Sequence, residues 1–162
     1  MMDRRTLLGA GGASLIGGIA LFGSMRGSAA KAANFEVSLS DAEWKKRLSP
    51  QRYAVLRQEN TEPSGSSPLN KEHRKGIFAC AGCGLPVYSS AAKFESGTGW
   101  PSFYAPLRNA VATRKDNRLF FTRTEVHCRR CGGHLGHVFD DGPKPTGLRY
   151  CMNGLAMNFR PA

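Results

Sequence analysis

Two Cys-x-x-Cys pairs constrain this chain more than any other feature of its 162 residues. Cys80 and Cys83 form the first pair, Cys128 and Cys131 form the second, and 44 residues separate the two. Each pair places two sulfurs on one tight turn, and together they provide the four thiolates of a closed tetrahedral zinc site. No coordination position is left for water, so the spacing predicts one structural Zn²⁺ that joins two distant β segments. Two disulfides or a redox-active pair are the alternatives, but the βαβ context of a thioredoxin-like protein is absent.

Residues 1–32 follow the order of an export signal. An Arg-Arg-Thr-Leu-Leu run at 4–8 leads into a weakly apolar, Gly-rich stretch and then into small residues. The run resembles the twin-arginine export signal, which implies a periplasmic protein that crosses the membrane already folded. Ala-Lys-Ala at 30–32 is the expected cleavage site, with Ser-Ala-Ala at 28–30 as the rival. An uncleaved anchor or a disordered tail is the alternative interpretation.

Size and charge limit the classes of protein that the remaining chain, 33–162, can belong to. It has the length of one ordinary domain, and a hydrophobic content of 41% in the whole sequence suffices for one core. A formal net charge of +11 for the whole sequence raises the question of binding to nucleic acid or to an anionic membrane surface. The basic residues are scattered, however, and the aromatic residues are not interleaved with them as a stacking platform requires. We therefore expect no nucleic-acid partner, and we expect a monomer.

The segment 33–75 predicts two short helices and a loop that pack on the core. Ser-Asp-Ala-Glu at 40–43 is a capping box, which starts a helix that should run to about residue 48. Ser-Pro at 49–50 starts a second helix through about residue 57. Pro, Gly and Ser are dense from 60 to 70, which indicates a loop without secondary structure. The residues expected to pack on the core are Trp44, Leu48, Tyr53 and Leu56.

The segment 76–162 has the pattern of a β protein and is expected to be the catalytic core. Short apolar runs alternate with Gly, Pro and Asp turns, without a helical period. Asp-Asp-Gly-Pro at 140–143 and Pro-Thr-Gly at 145–147 mark tight turns before the last strands. The runs expected to form strands are 77–79, 85–88, 119–124 and 148–152.

Cys151 is the one cysteine outside the two pairs. If its segment is a strand, the period of two places Arg149, Cys151 and Asn153 on one face of the sheet. Tyr150 and Met152 then face the other side. A guanidinium beside a thiol favours the thiolate, which is the form that attacks. A small buried hydrophobe is the alternative for an isolated cysteine, but the Arg and Asn on its face favour a nucleophile.

Two histidines and a tryptophan are candidates to assist Cys151. His134 and His137 follow the second cysteine pair and titrate near neutral pH, so they can protonate or hold a polar oxygen. Zinc ligation is the alternative for either histidine. Trp100 lies in a loop constrained by Gly and Pro. It is either a core aromatic or, if exposed, the wall of a pocket for a small apolar group.

Five motifs, together with the two cysteine pairs, give the chain a family resemblance over roughly residues 38–160. It resembles the methionine-R-sulfoxide reductases of the B class, and the motifs occur in the order of that family. The motifs are Ser-Gly-Thr-Gly-Trp-Pro-Ser-Phe at 96–103, His-Leu-Gly-His-Val-Phe at 134–139, Asp-Gly-Pro at 141–143, Pro-Thr-Gly at 145–147 and Arg-Tyr-Cys-Met-Asn at 149–153.

The resemblance implies a mainly β, β-tent-like fold of two small antiparallel sheets, with the zinc away from the active site. Cys151 matches the catalytic cysteine of the family, and Trp100 matches the residue that holds the S-methyl group of the substrate. The residues that match positions around the sulfoxide oxygen are His134, His137 and Asn153. The further residues expected to bind or support the substrate are Phe103, Asp141 and Arg149.

The implied activity is thiol-dependent reduction of the R epimer of methionine sulfoxide, free or in proteins, through a sulfenic acid on Cys151. In an exported protein, this activity would repair oxidative damage. Many members of the family have a resolving cysteine where this chain has Thr98. An external thiol reductant, such as a thioredoxin-like protein, is therefore expected. A zinc-stapled binding module on the same fold and a thiol peroxide sensor are the alternatives. Cys151 and Arg149 disfavour the binding module, and a peroxide sensor would not need the Trp100 pocket.

Overall fold

The computed structural model describes residues 35–118 and 121–162, so the predicted export signal lies outside the described residues. The first helix, α1, spans Asp41–Arg47 and begins with the expected capping box. The Ser40 N–H donates to Oε2 of Glu43 over 2.7 Å, and the Glu43 N–H donates to Oγ of Ser40 over 3.4 Å. These bonds satisfy backbone donors that the helix itself leaves without partners, which is why it starts here.

The second helix, α2, spans Pro50–Gln58 and is capped by Ser49, whose Oγ accepts from the Arg52 N–H. Trp44, Leu48 and Leu56 are buried as expected, and Tyr53 is partly buried against the same cluster. Burial of this apolar face holds both short helices on the β core, since isolated helices of this length are marginal in water. Within residues 35–118 and 121–162, no helix has the length and apolarity needed to cross a membrane.

The described residues form two antiparallel sheets, which confirms a mainly β fold. One has three strands in the order β2-β1-β9, and the other has six in the order β3-β4-β8-β7-β6-β5. The strands are β1 Gly76–Cys80, β2 Pro86–Ser89, β3 Lys93–Phe94, β4 Ser102–Phe103, β5 Val111–Asp116, β6 Arg123–Cys128, β7 His134–Phe139, β8 Arg149–Met152 and β9 Met157–Pro161.

Three segments have a secondary structure that differs from the one predicted. The strand expected at 119–124 is instead β6, which starts at Arg123, while residues 119 and 120 lie outside the described residues. Strand β5 was not expected, because its three consecutive positions 113–115 are exposed and polar, so it has no apolar run. The loop at 60–70 also contains the start of a short 3₁₀ helix, Pro68–Lys71.

The core between the two sheets is built on stacked aromatic rings. Tyr88 of β2 stacks on Phe103 of β4 with ring centroids 4.3 Å apart, and Phe78 of β1 meets Phe103 edge-on at 4.9 Å. The Tyr88 hydroxyl donates to the sulfur of Met152 over 3.1 Å, which satisfies the polar end of a fully buried ring. Met152 therefore faces the core, and the alternation of β8 turns Cys151 to the opposite face.

Candidate active site and cysteine cluster

The four paired cysteines lie together, as the sequence predicted. All four sulfurs are within 4.8 Å of one another, and none is in a disulfide. The sulfurs of Cys80 and Cys131 are 3.7 Å apart, and those of Cys83 and Cys128 are 3.5 Å apart. Four sulfurs placed about 2.3 Å from one tetrahedral ion are about 3.8 Å from each other. The cluster therefore has the size and the donor set of a closed four-thiolate metal site.

Both cysteine turns have the same backbone geometry. In the first, Cys80 donates its N–H to Leu85 over 2.8 Å and accepts from Gly84 over 2.8 Å. In the second, Cys128 donates to Gly133 over 2.9 Å and accepts from Gly132 over 2.8 Å. Gly84 and Gly132 have φ values of 75° and 67°, a left-handed conformation that glycine adopts without steric cost. Because Cys80 ends β1 and Cys128 ends β6, the cluster joins the two sheets.

The fifth cysteine lies in a row of side chains across the six-stranded sheet. Cys151 of β8 pairs with Ser102 of β4 on one side and with His137 of β7 on the other. Residues paired in this way project from the same face of a sheet. Cys151 is half-buried, whereas Ser102 is fully buried. A thiol, a hydroxyl and an imidazole therefore share one face.

A pocket of about 120 Å³ opens above this row. It brings together four of the expected residues, because Trp100, His137, Cys151 and Asn153 all contribute to its wall. None of the four paired cysteines contributes to that wall. The remaining lining residues are Thr61, Arg123, Gly136 and Phe139.

Trp100 is held as a fixed wall of the pocket. Its indole N–H donates to the backbone carbonyl of Glu62 over 3.0 Å, and the ring is partly exposed. The polar end of the ring is thus satisfied outside the pocket, which leaves its apolar body available for contact. The structure supports the pocket-wall interpretation of this residue over the core interpretation.

His137 contacts the ion pair formed by Asp116 and Arg123. Its Nε2 lies 2.8 Å from Oδ2 of Asp116, which also accepts from Arg123 over 2.7 Å. The backbone N–H of Arg118, with smaller contributions from His137 and Arg123, holds the pKa of Asp116 well below its usual range. Burial lowers the pKa of His137; Asp116 opposes this shift and the charge of Arg123 adds to it. Burial therefore disfavours the protonated form of His137, whereas the adjacent Asp116 carboxylate stabilises it.

His134 lies next to His137 but does not line the pocket. The two rings meet edge-on with centroids 5.3 Å apart, and His134 is buried. Its Nδ1 lies 2.8 Å from Oε1 of Glu125, a carboxylate that also pairs with Arg114. Burial raises the pKa of Glu125, but His134 and Arg114 outweigh burial, and the net pKa is lowered. His134 supports the face of the pocket that His137 forms.

Asn153 is buried, and its amide is fixed from both ends. Its Oδ1 accepts from the Glu62 backbone N–H over 2.9 Å, and its Nδ2 donates to the Leu135 carbonyl over 3.2 Å. One amide hydrogen remains for a ligand, since the side chain carries two. The geometry thus permits one further hydrogen bond from Asn153 into the pocket.

Asp141 and Arg149 form an ion pair outside the pocket wall. The guanidinium donates twice to the carboxylate, each bond 2.8 Å long, and lies 4.4 Å from the centroid of the Phe139 ring. Arg149 lowers the pKa of Asp141, and Asp141 is the main reason that the pKa of Arg149 is raised, with a smaller contribution from Cys151. Arg149 therefore influences the site in two ways: it packs on the ring of Phe139, and its positive charge interacts with Cys151.

Phe103 was expected among the substrate-binding residues, but the structure places it in the core. It pairs with Tyr150 on β8 and is fully buried beneath the Tyr88 ring. Its neighbour Ser102 pairs with Cys151, so the alternation of β4 sends the two side chains to opposite faces. We therefore place Phe103 outside the pocket, as a core residue beneath it.

Glu62 is a part of the site that sequence reasoning missed. It is buried, and its carboxylate accepts the backbone N–H groups of Gly154 and Leu155. Its own backbone holds Trp100 and Asn153, as described above. One residue thus connects its own loop to two other segments of the pocket, that of Trp100 and that of residues 153–155. Nothing marks it locally in the sequence, because it is one charged residue in a polar loop.

The loop around Glu62 is a strap over the segment that carries Trp100. Ser64 donates its hydroxyl to the Thr98 carbonyl over 3.0 Å. The Gly65 N–H and the Asn70 side-chain amide each donate to the Gly99 carbonyl over 2.8 Å. This loop is therefore held against the wall of the pocket by hydrogen bonds to two backbone carbonyls.

The fold and site define a class: a β-sheet thiol protein whose half-buried cysteine faces a small aromatic-walled pocket, with a separate four-cysteine cluster. Residues 48–161 match the SelR domain family. A protein from Leptospira interrogans, named peptide methionine sulfoxide reductase MsrB, is 51% identical over 128 residues, which cover 78% of this chain and 98% of that protein. This chain belongs to the MsrB family of peptide methionine sulfoxide reductases.

Relatives from distantly related organisms support the same family assignment. The protein of the same name from Methanosarcina barkeri is 52% identical over 125 residues, covering 76% of this chain and 88% of its own length. The chloroplastic peptide methionine sulfoxide reductase B1 of Arabidopsis thaliana is 49% identical over 121 residues, covering 74% of this chain and 60% of its own.

The replacement Glu62→Gln tests the anchoring role of the buried carboxylate. The substitution places an amide donor against two backbone N–H donors, so we expect the free energy of unfolding to fall by about 1–3 kcal/mol. Urea unfolding measures this change. Glu95→Gln is the matched control, because the Glu95 carboxylate is largely exposed and, among the described residues, pairs with Lys93 alone. An equal effect of the two replacements would contradict the anchoring role.

Proposed function

We propose that this protein is a peptide-methionine (R)-S-oxide reductase, which reduces methionine sulfoxide, free or in peptides, to methionine. The observation that carries the proposal is the half-buried Cys151 facing the Trp100 wall, with His137 beside it. The pocket of about 120 Å³ fits a group the size of a methyl sulfoxide better than a whole amino acid. The rest of the substrate would therefore lie outside the pocket.

The reaction follows from these contacts. The S-methyl group packs on Trp100, and the Cys151 thiolate attacks the sulfur of the sulfoxide. His137, whose imidazolium the Asp116 carboxylate stabilises, gives a proton to the oxygen. The attack forms an S–S bond between Cys151 and the substrate. The hydroxyl then moves to Sγ of Cys151 as the S–O bond and the new S–S bond break, so methionine leaves and Cys151 keeps a sulfenic acid. The atoms balance, since methionine sulfoxide plus a thiol gives methionine plus a sulfenic acid.

Epimer choice follows from three fixed contacts on one sulfur atom. Trp100 receives the methyl group, the side of His137 and Asn153 receives the oxygen, and Cys151 must approach the sulfur itself. Inverting the sulfur exchanges the methyl group and the oxygen, which would place an oxygen on an apolar ring and leave polar groups without a partner. The membership of the chain in the MsrB family favours the R epimer as the one accepted.

The sulfenic acid needs an external thiol. Thr98 is the nearest polar side chain to Cys151 on the Trp100 segment, with its Oγ1 3.7 Å from the sulfur, and it cannot form a disulfide. A reductant thiol would attack Cys151, release water and form a mixed disulfide, and a second thiol of the reductant would then resolve it. A thioredoxin-like dithiol protein supplies both thiols. We propose that the reductase acts as a monomer.

The four-cysteine cluster fits a structural Zn²⁺. The sulfurs of Cys80, Cys83, Cys128 and Cys131 would hold the ion, and with four protein ligands it has no open position for a substrate. The ion, when bound, supplies a link between the ends of β1 and β6. The ion would stabilise the folded state, because it would connect the same two sheets that pack together through the aromatic core.

The predicted export signal suggests the compartment in which this activity would take place. The twin-arginine pattern at 4–8 supports transport of the folded protein to the periplasm, where it would repair oxidised methionines of exported proteins. Folding and metal binding before transport would protect the four thiols from the oxidising compartment. The mass of the N-terminal peptide from the periplasmic fraction tests this; we expect it to begin at residue 33. An intact residue 1 in that fraction would contradict cleavage.

Racemic methionine sulfoxide with a dithiol reductant tests the activity. We expect the wild type to consume only the R epimer, leaving half of the racemate, as measured by chiral chromatography. Cys151→Ser should abolish turnover, because the nucleophile is lost. Trp100→Ala should raise KM about tenfold or more and weaken epimer choice, because the methyl wall is lost. Consumption of neither epimer by the wild type would refute the reductase proposal.

The oxidised state of Cys151 gives a second test. After one turnover without reductant, intact mass should show a gain of one oxygen and no internal disulfide. Added small thiol should convert this species to a mixed disulfide at Cys151. The replacement Thr98→Cys provides the contrast, since we expect it to form a disulfide with Cys151 after turnover. An internal disulfide in the wild-type chain would contradict the need for an external thiol.

Replacing one cluster cysteine separates the metal site from catalysis. We expect Cys128→Ser to lower the bound zinc from about one ion per chain and to reduce the free energy of unfolding by about 3 kcal/mol or more. Cys151→Ser is the matched control, which should keep both zinc and stability. Elemental analysis and thermal unfolding measure the two quantities. Full zinc content in Cys128→Ser would contradict the four-thiolate assignment.

A further inference from the structure

A chain of three hydroxyl groups connects the sulfur of Cys151 to the backbone of Trp100. The Oγ1 of Thr98 lies 3.7 Å from Sγ of Cys151, and the Oγ of Ser96 lies 2.8 Å from that hydroxyl. Ser96 is 2.7 Å from Oγ of Ser102, which donates to the Trp100 carbonyl over 3.2 Å. The chain therefore has four links, with a sulfur at one end and a carbonyl at the other.

Counting protons gives this chain a direction. Each link needs one proton, the carbonyl of Trp100 can only accept, and each hydroxyl carries one proton. While Cys151 is a thiol, its proton completes the set, and all four links run from the sulfur towards the carbonyl. Once the thiol loses its proton to water through the open pocket, three protons remain for four links. The sulfur then becomes an acceptor, and the nearest donor is the Thr98 hydroxyl.

We propose that Thr98 is a catalytic residue, whose hydroxyl turns to donate a hydrogen bond to the Cys151 thiolate while Ser96 and Ser102 follow. Ser96 then donates to Thr98 and Ser102 donates to Ser96. The link left without a proton is the one to the Trp100 carbonyl, which is the longest oxygen–oxygen contact of the chain. The inference rests on the proposed function only in taking Cys151 as the nucleophile.

The charged groups that face Cys151 are hydrogen-bonded to carboxylates, so a neutral donor can bind the sulfur. On its own strand Arg149 lies two residues away and is committed to Asp141 by two hydrogen bonds. His137 faces it from β7, and Arg123 lines the same pocket, but both are bound to Asp116. On the remaining side lie Ser102 of β4 and, in the loop before that strand, Ser96 and Thr98. Thr98 differs from these charged groups because its hydroxyl contacts the sulfur and has no carboxylate partner among the described residues.

The experiment measures the thiolate directly and uses no sulfoxide, so its result is independent of the reductase proposal. Thr98→Val removes the hydroxyl and keeps the shape of the side chain, whereas Thr98→Ser keeps the hydroxyl and serves as the matched control. The thiolate fraction of Cys151 at neutral pH is read from its ultraviolet absorbance, with the Cys151→Ser variant as the blank. The rate of alkylation by iodoacetamide gives a second measure. Zinc content and circular dichroism confirm that each variant is folded.

We expect Thr98→Val to lower the thiolate fraction about tenfold, because a hydrogen bond to a charged acceptor is lost. Alkylation should slow by only about threefold, since the more basic thiolate that remains is also more nucleophilic. Thr98→Ser should stay within about twofold of the wild type on the same scale. Ser96→Ala should cause a smaller loss than Thr98→Val, because it removes only the polarising link behind Thr98.

Three results would overturn the proposal. The first is a thiolate fraction in Thr98→Val equal to that of the wild type. The second is an equal loss in Thr98→Ser and Thr98→Val, which would show that packing and not the hydroxyl matters. The third is a Ser96→Ala variant that matches the wild type, which would remove the chain behind Thr98.

Discussion

The position of β8 between β4 and β7 is the constraint on which the site depends. Antiparallel pairing sets Cys151 against Ser102 on one side and against His137 on the other. The same pairing turns Met152 into the core, where the Tyr88 hydroxyl binds its sulfur. A slip of one residue along β8 would exchange these faces and bury Cys151. Core packing beneath the sheet therefore fixes the chemistry above it.

Segments far apart in the chain complete the pocket. The loop from Asn60 to Asn70 is bound to the carbonyls of Thr98 and Gly99 and, through Glu62, to the turn at Gly154. A buried carboxylate that accepts backbone N–H groups is stable only when those donors are in place. The strap, the Trp100 segment and the C-terminal turn are thus expected to order together. This interdependence explains how a pocket built largely from loops can be rigid.

Much of the fold and site could be predicted from local signals. Capping residues predicted the helix starts, because a cap acts within four residues of its own backbone. Spacing predicted the cysteine cluster, and the period of two predicted the face of Cys151. Strand β5 was missed because its exposed polar residues owe their conformation to pairing with β6. Phe103 was misplaced because a motif does not say which of two adjacent side chains faces the core.

By itself, the sequence determined which reactive groups the protein carries. It has four thiols in two tight turns, a fifth thiol outside those turns, and an indole and two imidazoles in the order of the MsrB family. These signals are local, so neighbouring residues suffice to reveal them. Tertiary structure alone decided which groups meet. It placed His137 in the pocket and His134 beside it, buried Glu62 under the C-terminal turn, and aligned three hydroxyls behind Cys151. Contacts of this kind depend on strand register and burial, which are properties of the whole fold.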